Sequence, residues 1–189
     1  MINISVKELI SLIKSDFIKY DNKMRLSRFI IFFFLGIGPF QAVALYRLSR
    51  FFKVNNIPFI HSLLTRINII LNGTEISADC RIGPGFFLAH TTGVVIGRNA
   101  EIGNNLLLFH NTTIGAKTPF DGLEEMPVIG DNVKIYAGVK VLGNIRIHNN
   151  CILGANTVIT FDLEEGSTIV ENREMYKIIK KHVKKRIVN

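Results

Sequence analysis

The stretch "GPGFFLAHTTGVVIGRNAEIGNNLLLFHNTTIGAK", residues 83–117, sets an aliphatic residue on a six-residue ruling. Extended in both directions, the ruling runs Ile76, Ile82, Leu88, Ile96, Ile102, Leu108 and Ile114, then Ile129, Ile135, Val141, Ile147, Leu153 and Ile159. A second compact residue follows most of these by four positions: Cys80, Thr92, Ala100, Thr112, Val133, Val139, Ile145, Cys151 and Thr157. A fixed internal period decides the fold before any local propensity does. A period of six suits a solenoid of short parallel strands, three per turn, with one aliphatic pointing inward from each face and coils stacked at the strand spacing of about 4.8 Å. Both cysteines fall on the inward small position and read as core.

The ruling slips twice. Leu88 to Ile96 is eight residues, a two-residue insertion at "HTTG". Ile114 to Ile129 holds "AKTPFDGLEEMPV", whose Pro, Asp-Gly and adjacent acids read as an excursion loop over 116–127. Loops carried on a rigid scaffold are where function concentrates.

Upstream, residues 4–34 mix apolar and charged positions at helical spacing and predict one helix, broken by "GIGP" at 36–39. Residues 40–56 predict a second helix, and 58–73 a third, with Pro58 near its start and Gly73 past its end. The organisation expected is thus a helical domain over 1–73, a solenoid domain over 74–170 and a basic C-terminal helix over 171–189. The apolar run Phe29–Tyr46 is interrupted by Gly36, Gly38 and Pro39. Each side alone is too short to span a bilayer, so buried helices are expected there rather than a membrane span.

The net charge of +8 is uneven. Residues 1–72 hold ten Lys/Arg against three acids, residues 73–170 six against ten, and residues 171–189 seven against two. A nucleic-acid binder carries its basic stripe on the folded body; here the body is acidic, and nucleic acid is not an expected partner. Two cysteines make no disulfide framework, and no zinc-knuckle spacing surrounds them. With no signal-peptide pattern, the expected setting is cytoplasmic, with peripheral contact at the inner face of a membrane left open for the apolar N-terminal helices or the basic tail.

The hexapeptides, the "HTTGVVIG" element after "IGPGFF", and "YAGVKVLGN" resemble the serine acetyltransferase family of hexapeptide-repeat acyltransferases. The resemblance covers most of the chain. It implies an α+β chain: a helical segment, a left-handed parallel β-helix and a C-terminal helix. It also implies a homotrimer, acetyl-CoA as co-substrate, no metal, and a reaction in the cleft between neighbouring β-helices. Acetyl transfer from a thioester to an alcohol needs a base for the hydroxyl proton and donors for the oxyanion. The resemblance puts the base on His90 and its acidic partner on Glu75. It puts the CoA channel on Gly115, Ala116 and Lys117, then on Ala137 and Lys140. The hexapeptide count adds that His110 lies three units beyond His90, on the same face one coil up, as an acceptor-binding or auxiliary catalytic group. His61, His148 and His182 lack such context and read as surface or packing residues.

The chain departs from the family pattern where free serine would be held. Ala89 stands where those enzymes carry an aspartate, and Glu125 and Met126 stand where they carry arginine and histidine. A glutamate in place of an arginine repels a carboxylate substrate. A kept base with a lost clamp points to acetyl transfer onto a sugar hydroxyl of a surface polysaccharide or its precursor. L-serine is the alternative acceptor, and a non-catalytic, membrane-associated trimeric scaffold is a second alternative.

Overall fold

The computed structural model describes residues 3–23, 25–34, 39–118 and 126–171. Four helices precede the solenoid: α1 (Val6–Phe17), α2 (Leu26–Phe34), α3 (Phe40–Val54) and α4 (Ile60–Asn72). Ser5 and Glu8 close a reciprocal capping box at the start of α1. The single helix expected over 4–34 is in fact two. Asp21 accepts a hydrogen bond from the Lys23 backbone N–H and ends the first helix in a polar turn. At the other end of the domain, Gly73 takes a left-handed conformation (φ 62°) that stops α4 and turns the chain into the first strand. The expected break at Gly36 and Gly38, residues 119–125 of the expected loop, His182 and the expected C-terminal helix beyond Glu171 lie outside the described residues.

The rest is a left-handed parallel β-helix. Its first coil is β1 (Thr74–Ile76), β2 (Arg81–Ile82) and β3 (Phe87–Leu88); its second is β4 (Val94–Ile96), β5 (Glu101–Ile102) and β6 (Leu107–Leu108). The third coil is β7 (Thr113–Gly115), β8 (Val128–Ile129) and β9 (Lys134–Ile135), and the fourth is β10 (Lys140–Leu142), β11 (Arg146–Ile147) and β12 (Ile152–Leu153). β13 (Val158–Ile159) and β14 (Thr168–Ile169) belong to a fifth. The first face stacks β1-β4-β7-β10-β13, the second β2-β5-β8-β11, and the third β3-β6-β9-β12-β14, all parallel.

The period dictates the core. All thirteen ruled aliphatics are at most 4% exposed, each contributing about 1.5–3 kcal/mol of burial. The second compact position needs one correction. Thr92 is exposed, and Val94 takes its place in the core. The inward small residue is keyed to the aliphatic two positions after it, and the two-residue insertion lies before that pair. Cys80 and Cys151 are fully buried, as expected, and burial pushes the Cys80 thiol up to about 12. One corner is held by an asparagine ladder. Asn105, Asn132 and Asn150, all left-handed, pass a side-chain hydrogen bond from each to the next, and Asn150 donates to Glu165.

The lower edge of the first coil is a row of strand groups with no coil beneath, a liability unless covered. Helical side chains cover it. Arg47, on α3, is buried and grips Asp16 of α1 through two guanidinium nitrogens (2.7 and 3.2 Å) while donating to the carbonyls of Ile82 and Gly83. Asp16 in turn accepts from the Phe86 N–H at 2.8 Å. Burial pushes the Asp16 carboxyl up, and Arg47 and the Phe86 N–H pull it back. Tyr46 and Arg50 both donate to the Cys80 carbonyl.

Candidate active site

The corner between the third and first faces carries the candidate chemistry. Leu88 pairs with Leu108, and Leu108 with Ile135, in register. His90, His110 and Ala137 therefore form one column, a coil apart. The His90 and His110 ring centroids are 5.4 Å apart at 77°. The structure thus brings together the two imidazoles that the hexapeptide count aligned. Ala137 above them, and Ala155 one coil higher by the Ile135–Leu153 register, keep the upper part of the column free of bulk.

The turn that holds His90 is built from below. Gly93 donates to the Gly73 carbonyl at 2.9 Å, and the buried Thr74 hydroxyl donates to the Thr91 carbonyl at 2.8 Å. Gly93 has φ 73°, and a Cβ there would collide with the Asn111 side chain, so only glycine fits. Beneath β3, the Tyr20 hydroxyl accepts from the Leu88 N–H (2.8 Å) and donates to the Leu88 carbonyl (3.0 Å), two residues before His90. Burial keeps that phenol protonated. Tyr20→Phe removes both bonds and leaves two backbone groups unpaired, a cost of about 1–3 kcal/mol. The expected outcome is a lower unfolding temperature, read by thermal unfolding.

His90 is exposed, whereas His110 has a buried Nδ1 with no hydrogen-bond partner among the described residues. Beside the pair, Phe109 stacks on Tyr136 at 5.1 Å and lies 6.1 Å from His90. Lys140 reaches back to the Asn111 carbonyl, so its ammonium sits at the histidine corner.

Other expected groupings do not form within one chain. Glu75 is exposed on β1 and makes no hydrogen bond to His90. Among the residues expected to line a CoA channel, Ala137 and Lys140 lie at the histidine corner. Gly115 ends β7, and Ala116 and Lys117 follow it, at the opposite end of the first face, where Gly115 accepts from Gly143. Met126 is buried against Gly97 at that same far corner, not beside His90. A cleft of about 720 Å³, bordered by Arg50, Arg81, Glu101 and Asn104, lies on the second face, away from both histidines. His61 is half-buried, with its ring against the Ser62 hydroxyl, and His148 is exposed.

Comparison with known proteins adds a second line. Residues 126–160 match the family described as bacterial transferase hexapeptide (six repeats). The serine acetyltransferase of Helicobacter pylori is 36% identical over 133 residues, 70% of this chain and 77% of that enzyme. The chain belongs to the serine acetyltransferase family. This agrees with the expected acetyltransferase class and hexapeptide fold. The Synechococcus elongatus serine acetyltransferase is 36% identical over 131 residues, and the match spans 69% of this chain but about half, 53%, of that enzyme. The Neisseria gonorrhoeae serine acetyltransferase, solved in complex with serine, superposes with a TM-score of 0.76 at 27% identity, covering 88% of this chain and 68% of that one.

Tyr20, Thr74, Phe109 and Tyr136 were not among the expected site residues. Thr74 and Tyr20 act through backbone groups far along the chain and leave no local pattern. Phe109 and Tyr136 hold equivalent positions one coil apart, and that spacing is readable from the hexapeptide count.

Proposed function

We propose that the chain moves the acetyl group of acetyl-CoA directly to an acceptor hydroxyl, in a homotrimer, with His90 as general base. The observation that carries this reading is the stacked His90–His110 pair beneath the small residues Ala137 and Ala155. The acceptor oxygen attacks the thioester carbonyl as His90 takes its proton. The C–S bond then breaks, and the leaving thiolate takes a proton from the imidazolium. Glu75 enters as the carboxylate that steadies that imidazolium once acceptor and donor are bound, since such contacts tighten only in the loaded enzyme. Ala137 and Lys140 of one chain would face Gly115, Ala116 and Lys117 of its neighbour across the cleft. The split of these residues between two corners supports a site shared by two copies. Small residues admit the pantetheine arm, and lysines suit its phosphates.

The names of the relatives support L-serine as the acceptor. A sugar hydroxyl, in a surface polysaccharide or its precursor, is the second reading. Ala89 supplies no carboxylate for an ammonium group, and Met126 is turned into the core. The Phe109–Tyr136 stack beside His90 also offers an aromatic surface to a ring. A thiol-release assay run side by side on L-serine and on hexose acceptors separates the two. Turnover of serine well above the hexoses establishes the first reading, and the reverse order establishes the second. No CoA binding at all returns the chain to a scaffold.

A further inference from the structure

We infer that the outer side of α4, together with the exposed side of α2, is an interfacial surface that seats on an anionic lipid bilayer. The amphipathicity of α4 is inverted. Its inner side is polar: Asn68, 2% exposed, donates to the Ala42 carbonyl, and Thr65 and the His61 carbonyl meet the Ser49 hydroxyl. Its outer side is apolar. Phe59, Leu63, Arg66 and Ile70 recur at the four-three-four spacing that aligns residues on one stripe of a helix. Phe59 is 83% exposed and Ile70 79%, with Leu63 and Leu71 each more than half exposed. Phe59 also holds φ 66° at the helix start, a conformation that disfavours a bulky residue. Water alone favours neither the strain nor the exposure.

The surface extends onto α2. Gln41 of α3 donates to the Phe33 carbonyl at the end of α2, one residue before the Ala42 carbonyl that receives Asn68. The end of α2 and the last turns of α4 thus dock on the same turn of α3. Ile30, Ile31 and Phe34 of α2 are exposed there.

Charge selects the occupant. The helical part shows solvent the exposed Lys7, Lys14, Lys19, Lys23, Arg25, Arg28 and Arg66, but of its acids Asp16 and Asp21 are buried, leaving Glu8. A second copy of such a surface is repelled, and an anionic one is attracted. Arg66 within the stripe and Arg25 just before α2 suit lipid headgroups, and Arg28 within α2 is more than half exposed beside its 3.6 Å ion pair with Asp21. No helix among the described residues is long and apolar enough to cross a membrane. The thirteen-residue α4 therefore lies in the plane of the interface.

Vesicle flotation of the full chain tests this. The protein is expected to float with phosphatidylcholine vesicles containing about 30% phosphatidylglycerol, and not with phosphatidylcholine alone, with binding falling as salt rises. Leu63→Ser with Ile70→Ser is expected to weaken flotation at least about tenfold, while circular dichroism and acetyl-transfer rate match the parent. Three results overturn the inference. They are absence of flotation on the anionic vesicles, equal flotation by the serine variant or on neutral vesicles, and a fall in oligomer size of the variant without lipid, which makes the face a contact between copies.

Discussion

Alanine at position 90 is expected to lower kcat for the proposed acetyl transfer by about 10²- to 10⁴-fold, the range that a positioned proton acceptor supplies. The acetyl-CoA KM is expected to stay within about twofold, because the proposed base acts in the transition state rather than in ground-state binding. The geometry supports that split. His90 lies at the foot of its column, while Ala137 and Lys140 sit at the levels above. His110→Ala is expected to cost less, about tenfold, since its ring is partly buried behind His90 with Nδ1 facing no polar partner. Steady-state kinetics on both variants, with folding checked by circular dichroism, measures the two effects. Equal losses would make the pair a single unit instead of a base and its support.

Arg47→Ala is expected to cost about 3–5 kcal/mol, because it leaves the Asp16 carboxylate buried without its partner. The carbonyls of Ile82 and Gly83 also lose their donor. For a chain of this size the unfolding temperature then falls by about 6–20 °C. The double change Asp16→Leu with Arg47→Met is expected to recover part of that loss, since no uncompensated charge is left. Calorimetry on the single and double variants reads both numbers. The effect has a functional side. The same edge that Arg47 and Asp16 close contains β3, whose far end leads into His90. A frayed first coil would displace the proposed base.

The solenoid was legible because its rule is local. An aliphatic every sixth residue recurs regardless of what packs outside. The alignment of His110 over His90 followed from the same count. The break between α1 and α2 was not legible. The apolar spacing continues through Ile18 and Phe29, and the turn depends on Asp21 being buried beneath the helices. The edge-capping roles of Tyr20, Asp16 and Arg47 were also hidden. Each joins a residue of the helical part to backbone 35 or more positions away, and backbone partners have no sequence signature. Thr92 misled for a simpler reason: the inward position is counted from the following aliphatic, and the insertion intervened.

A crystal structure with CoA bound tests the central claim most directly. The account predicts the thiol sulfur beside the His90 ring, within about 4 Å, with the pantetheine arm rising past Ala137 and Lys140 and a second chain closing the far side. CoA seated instead in the cleft bordered by Arg50, Arg81 and Glu101, with nothing beside the two imidazoles, contradicts it.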